Sequence, residues 1–190
     1  MPFLKSPPAR NFPEAMKRNP AIAEPLYGLN EAIMRGPSSF TAGERELIAA
    51  YVSALNGCNY CRTEHASVAE AFGMREGLVG ELVENFDAAD VADGLRAALA
   101  YAGKMTTDPE GLGEDDVAAF MAAGHDEKAL YDVVMVTAVF LMSNSIIHGF
   151  GIPEQGPERL AMATKRLHDM GYSYGSAGKG STMAAVRRRH

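Results

Sequence analysis

The segment Asn56-Gly57-Cys58-Asn59-Tyr60-Cys61-Arg62-Thr63-Glu64-His65 holds both cysteines of the chain in a C-x2-C-x3-H arrangement. On a helix, at about 100° per residue, two thiols and an imidazole so spaced fall within one narrow sector. Val68, Ala69 and Phe72 continue that sector, which is therefore expected to face the core, with Tyr60 directed away from it. Cys61 and His65 stand one turn apart, the spacing at which side chains meet, so the imidazole can accept the thiol proton and hold the resulting thiolate. The positive end of a helix amino terminus acts in the same direction. Both effects lower a cysteine pKa, and the thiolate is the form that attacks peroxides or disulfides.

Glu46 belongs beside this trio. The stretch before the cysteines has two faces, bulky Leu47, Ile48, Tyr51, Val52 and Leu55 on one, and Glu46, Ala49, Ala50 and Ser53 on the other. Small residues admit a neighbouring helix closely, so Glu46 is expected to be buried against the cysteine helix. A buried carboxylate needs a partner. His65 is the candidate, in a relay where Glu46 orients and charges the imidazole and the imidazole activates a cysteine.

These residues need helices to position them. Thr41-Ala42-Gly43-Glu44 reads as a capping box that opens a helix from Ala42 to about Leu55. Asn56-Gly57 breaks it, and a second helix runs from around Cys58 to Phe72, with Gly73 as its cap, so the motif sits on a helical hairpin. Upstream, Ile22, Leu26, Leu29 and Ile33 recur at helical spacing until Gly36-Pro37 stops the pattern, with Pro25 in the first turn. Downstream, helices fit Glu76–Asn85, Asp90–Met105, Glu114–Ala123, Glu127–Ile147 and Glu158–Met170, and no segment alternates as a strand would. The reading is all-α: a Pro-rich arm over 1–21, holding five of the ten prolines, a helical domain over 22–170, and a flexible Gly/Ser-rich basic tail over 171–190. Met135, Met142 and the other methionines of the helices read as core filling, and Arg187-Arg188-Arg189 as a solvated end.

The chain of 190 residues is one domain's worth, with 47% apolar and 22% charged residues, which excludes a wholly disordered or collagen-like protein. Two cysteines make no disulfide framework. A net charge of −6 and a pI near 5.4 argue against nucleic acid as a partner. The longest apolar run, Val133 to Met142, is short of a bilayer span, and the first residues contain no secretory core, so the expected location is cytoplasmic and away from membranes. In a reducing compartment a cysteine pair points to redox chemistry, catalysis or metal rather than a structural bridge.

The pattern Glu46-x11-Cys58-x2-Cys61-x3-His65, with Ser53 and Asn56-Gly57 before the first cysteine, resembles the AhpD-like alkylhydroperoxidases of the carboxymuconolactone decarboxylase superfamily. Together with the preceding RGPSSFTAGERELIA and the helix ending near Asn144, it is similar to the peroxidase-related branch, over about Ala15 to Gly151. The resemblance implies an all-helical fold, homo-oligomerisation, and reduction of hydroperoxides by cysteine without metal, haem or other cofactor. It implies that Cys61 attacks the peroxide oxygen, Cys58 resolves the sulfenic acid to a disulfide, His65 and Glu46 relay the proton, and an external dithiol restores the pair. The family's best-studied members take electrons from a lipoyl adaptor. This chain departs from its peroxidase members at Tyr60, where they often carry a second histidine, and His148 replaces it only if the fold brings it close.

Other readings use fewer of these residues. A redox sensor would oxidise the same pair without turnover. Zinc could take Cys58, Cys61 and His65 with Glu46 or His148, but no second ligand pair exists. A thioredoxin-like site would need a strand before Asn56, and haem attachment an adjacent histidine. Lactone decarboxylation would leave the cysteine pair unexplained.

Overall fold

The computed structural model describes residues 1–173, and among them every regular element is helical. The short α1 (Phe12–Met16) leads into α2 (Pro20–Arg35), and the hairpin follows as α3 (Ala42–Leu55) and α4 (Asn59–Ala71). Then come α5 (Leu78–Glu84), α6 (Asp93–Thr107), α7 (Glu114–Ala122), α8 (Glu127–Phe150) and α9 (Pro157–Met170).

Local chemistry sets the hairpin. Thr41 Oγ1 accepts the Glu44 N–H at 3.2 Å and Glu44 Oε2 accepts the Thr41 N–H at 2.8 Å, so α3 starts on a closed capping box. Gly57, at φ 68°, supplies the left-handed residue that reverses the chain. The Cys58 N–H then bonds back to the Ser53 carbonyl at 2.8 Å, which ties the first cysteine to α3. α4 lies along α3 in the most extensive helix pairing of the fold.

The main core is built where α3, α6 and α8 converge, around Leu47, Ile48, Val52, Leu99, Val133 and Phe140. By length and composition α8 could cross a membrane, with 24 residues and a mean hydropathy of 1.7, yet it packs against α3, α6 and α2 as the central helix of this core. A second apolar cluster gathers Ala9, Ala15, Met16, Leu26, Tyr27 and Ile147 around both cysteines and Tyr60.

Several expectations need correction. The buried stripe of α2 is Ala23, Leu26, Tyr27, Asn30 and Met34, while Ile22 and Leu29 are 57% and 42% exposed. The helix turns this face inward because α1 packs on it, with Phe12 edge-on to Tyr27 at 6.1 Å between ring centroids. Residues 1–21 thus include a packed segment, α1, and the first turn of α2. The methionines are not uniformly core filling, since Met142, Met162 and Met170 are exposed. The tail expected over 171–190 lies outside the described residues from 174 onward, and Gly171 and Tyr172 turn back onto the helices.

Candidate active site

Glu46, on the first turns of α3, is fully buried, and its carboxylate is the centre of the site. Its Oε2 lies 2.6 Å from His65 Nδ1 on α4, which fixes the imidazole with Nδ1 as donor and frees Nε2. Arg35, the last residue of α2, donates from Nη2 to Glu46 Oε1 at 2.6 Å and to the Leu167 carbonyl at 3.0 Å. The Tyr172 hydroxyl donates to both carboxylate oxygens, at 2.9 and 3.1 Å, and stands 3.2 Å from His65 Nδ1. Burial alone would push the Glu46 carboxyl up, but the His65 and Arg35 partners outweigh it and hold the group below the usual carboxylate range. Burial, and then the Glu46 charge, push the Tyr172 phenol well above its ordinary range, so it remains a donor.

The chain order explains the assembly. Arg35 precedes the Gly36 stop of α2, and its guanidinium lies 4.9 Å from the Phe72 ring centroid and 5.1 Å from that of Tyr172. Gly171, at φ 65°, ends α9, and a Cβ there would stand 2.5 Å from Glu31 Oε2. That same Oε2 accepts the Tyr172 N–H at 2.7 Å, so α2 fixes the turn that delivers the phenol. His65 meets the Phe140 ring edge-on at 4.4 Å, and the Tyr172 ring is stacked at 6.2 Å.

Both cysteines are reduced and buried, and they differ in position and charge. Cys58 caps α4 at its amino end, whereas Cys61 borders a small chamber of about 40 Å³ with His65, Tyr60, Phe140 and Tyr172. The neighbouring Cys61 thiol and backbone lower the Cys58 pKa against the opposing cost of burial, with help from His65, while the Cys58 neighbour and burial raise that of Cys61. Cys58, which does not line the chamber, is thus the more acidic thiol of the two.

All four residues named from the sequence, Glu46, Cys58, Cys61 and His65, lie in this region, and the Glu46–His65 contact joins the two hairpin helices. Tyr60 contradicts its expected outward direction. It is buried, its hydroxyl accepts the Phe12 N–H at 3.3 Å, and its ring borders the chamber, because α1 covers the face of α4 that otherwise would be wet. His148 is exposed near the carboxyl end of α8 and takes no part. Arg35 and Tyr172 escaped the sequence reading. Arg35 could have been flagged as a charge directly before a Gly-Pro stop, and Tyr172 as an aromatic directly after a helix-ending glycine. Among the described residues no three histidine, cysteine or carboxylate groups cluster as a metal site would require.

Residues 20–104 match the carboxymuconolactone decarboxylase family. An uncharacterised peroxidase-related protein from Silicibacter sp. TM1040 superposes with a TM-score of 0.71 at 26% identity, over 76% of this chain and 75% of that one. An alkylhydroperoxidase AhpD core protein, likewise uncharacterised and peroxidase-related, from Ralstonia eutropha JMP134 gives 0.71 at 25% identity, over 79% and 78%. The debrominase Bmp8, solved alone and as a cysteine-to-alanine variant with 2,3,4-tribromopyrrole, shares the fold at 21% identity and a TM-score of 0.68, over 80% and 81%. No curated protein sequence matches the chain. The family match thus spans the segment from α2 to α6, on a fold shared with AhpD-like, peroxidase-related proteins. The chain's structural neighbours include two proteins described as peroxidase-related and one debrominase.

Proposed function

We infer that this protein is a thiol-dependent hydroperoxidase running on a Cys58/Cys61 dithiol–disulfide cycle. One observation carries the reading: of the two thiols near the Glu46–His65 pair, only Cys61 borders the chamber. A hydroperoxide ROOH enters, Cys58 takes the Cys61 proton, and the Cys61 sulfur attacks the terminal oxygen. The O–O bond breaks, RO⁻ leaves and recovers that proton as ROH, and Cys61 becomes a sulfenic acid. Cys58, again a thiolate, attacks the Cys61 sulfur. Hydroxide leaves with the proton held on His65 Nε2 as water, and a disulfide remains. An external dithiol reduces the disulfide and is itself oxidised, restoring thiol, thiolate and imidazolium. Glu46 keeps the imidazole oriented and supports its charge throughout.

The proposal includes self-association, supported by the exposed apolar side chains of Ile22 and Leu29 on α2 and Tyr131 and Met142 on α8. It places the reductant as a small or protein-borne dithiol, such as a lipoyl group.

The test is hydroperoxide-dependent consumption of dithiothreitol by the purified protein, with mass spectrometry of the Cys58–Cys61 peptide. Saturable turnover with reversible loss of two hydrogens is the expected result. A disulfide that forms once without turnover would replace the enzyme by a redox sensor, and no disulfide at all would remove the reading.

A further inference from the structure

The chamber lies beside a second, larger space. A groove of about 410 Å³ runs along α9 and shares Pro13, Tyr60, Glu64 and Arg166 with the chamber wall. The two volumes suit different parts of one molecule. A water needs about 10–15 Å³ in such a cavity, so some 40 Å³ admits a hydroperoxide group and little carbon. The groove lies within the roughly 300–1,000 Å³ range of small-molecule sites.

Its chemistry is uneven. Arg159, Met162, Ala163 and Arg166 recur at helical spacing, so one face of α9 lines the groove with two guanidinium groups and an apolar strip between them. Met162 is 74% exposed. Arg159 is exposed and Arg166 half-buried, and neither has a hydrogen bond or ion pair with any described residue. Arg35, by contrast, is paired with Glu46. The one acid of the groove, Glu64, already accepts the Gln155 amide. Two guanidiniums without a partner among the described residues, against one engaged carboxylate, suit the groove to a planar anion, which an arginine fork satisfies bidentately.

We propose that the substrate is an organic hydroperoxide whose carbon chain ends in a carboxylate. This rests on the hydroperoxidase reading of the same site. The hydroperoxide head occupies the chamber at Cys61, the chain leaves past Tyr60 and Pro13, and its methylenes lie on Met162 and Ala163. The carboxylate reaches Arg159, whose Cα is about 10 Å along the helix from that of Arg166 at the chamber mouth. Arg166 adds positive charge where the chain enters. Hydrogen peroxide uses none of this surface, and a neutral alkyl hydroperoxide leaves both guanidiniums unpaired.

Two measurements on the full chain separate this inference from the reading beneath it. The first needs no turnover: calorimetric titration with decanoate, and with decanol as the neutral control, of wild type, Arg159→Gln and the Arg159→Gln/Arg166→Gln double variant. Decanoate is expected to bind wild type, to weaken about tenfold in the single variant and further in the double, and to exceed decanol in wild type but not in the double variant. The second is the ratio of kcat/KM for a fatty-acid hydroperoxide to that for its methyl ester. It is expected to be at least about ten in wild type and to fall toward one in Arg159→Gln. Absence of decanoate binding, or binding that Arg159→Gln/Arg166→Gln leaves intact, overturns the inference. So does turnover of acid and ester at equal rates, and in that case the hydroperoxidase reading stands. Decanoate binding that depends on the arginines, with no turnover of any hydroperoxide, leaves an anion site and removes the peroxidase.

Discussion

The two apolar clusters of this molecule are made in different ways. The main core joins aliphatic and aromatic side chains from the middles of α3, α6 and α8, three long helices. The second cluster, around Cys58, Cys61 and Tyr60, is closed by Ala9, Ala15 and Met16 from the beginning of the chain. Between the two lies the polar centre of Glu46, His65, Arg35 and Tyr172, the last delivered from the far end of the described chain. The hairpin supplies the reactive groups, and segments remote in sequence keep water from them. A hydrophobic core holds without the site, but the site needs both the core beneath it and the covers above it.

The largest contrast is chemical. Cys61→Ser is expected to bring hydroperoxide turnover to the uncatalysed rate, at a stability cost of only about 1–3 kcal/mol for a buried hydroxyl. Phe120→Ala, in the main core, should do the reverse. It costs about 3–5 kcal/mol of unfolding free energy and leaves turnover per folded molecule near that of wild type. Denaturant unfolding and steady-state rates on the two variants check this, and equal loss of activity in both would erase the distinction between regions.

Glu46→Ala is expected to fail on both axes, because it leaves Arg35 and His65 without their shared carboxylate. Breaking such a buried pair costs about 3–5 kcal/mol, and the freed imidazole loses its orientation. The pH dependence has a definite sign. The Glu46 pKa is lower in the folded protein than in the unfolded chain, where it is about 4.3, so its contribution is complete above that value and is lost as pH falls through the folded pKa. Acid denaturation of Glu46→Gln should therefore be shallower than that of wild type below about pH 4. Parallel acid transitions would show that another group controls this limb.

Tyr172→Phe comes next. It removes a hydroxyl donated to a charged acceptor, worth about 1.5–3 kcal/mol, and leaves the stacked ring in place. The phenol has a raised folded pKa, so its contribution is present below about pH 10 and is lost as pH rises through the folded value. Alkaline unfolding followed by circular dichroism should be less steep in Tyr172→Phe than in wild type. An identical alkaline limb would mean that the phenol titrates alike in both states.

Helix by helix, the fold was legible because periodicity, a capping box and Gly breaks are local signals. Thr41 and Glu44 announce α3, and Gly57 announces the reversal. The cysteine motif was legible for the same reason, since three residues within two helical turns define their own geometry. Glu46 was reachable because the small residues on its face imply a close neighbour. Tyr60 was read the wrong way round because the helix pattern knows only one buried face, and the second cover came from α1, a segment dominated by prolines. Tyr172 followed the last helix in a Gly-rich sequence, where composition argues for solvent. Its burial depends on a Glu31 carboxylate 141 positions away, and no local pattern records that.

The smallest effect tests the cover itself. Phe12 is half-buried, borders the chamber, and donates its backbone N–H to the Tyr60 hydroxyl. Its side chain contributes about 1 kcal/mol at that burial, so Phe12→Ala should leave the unfolding transition nearly in place. What it removes is wall. A phenyl group is large against a chamber of about 40 Å³, so its loss should admit substituents that the wild type turns away. The expected outcome is a rise in the ratio of kcat/KM for cumene hydroperoxide to that for hydrogen peroxide, because the smaller substrate never needed the space. If the ratio stays constant, α1 covers the cysteines without gating them, and the second apolar cluster serves stability alone, as the first does.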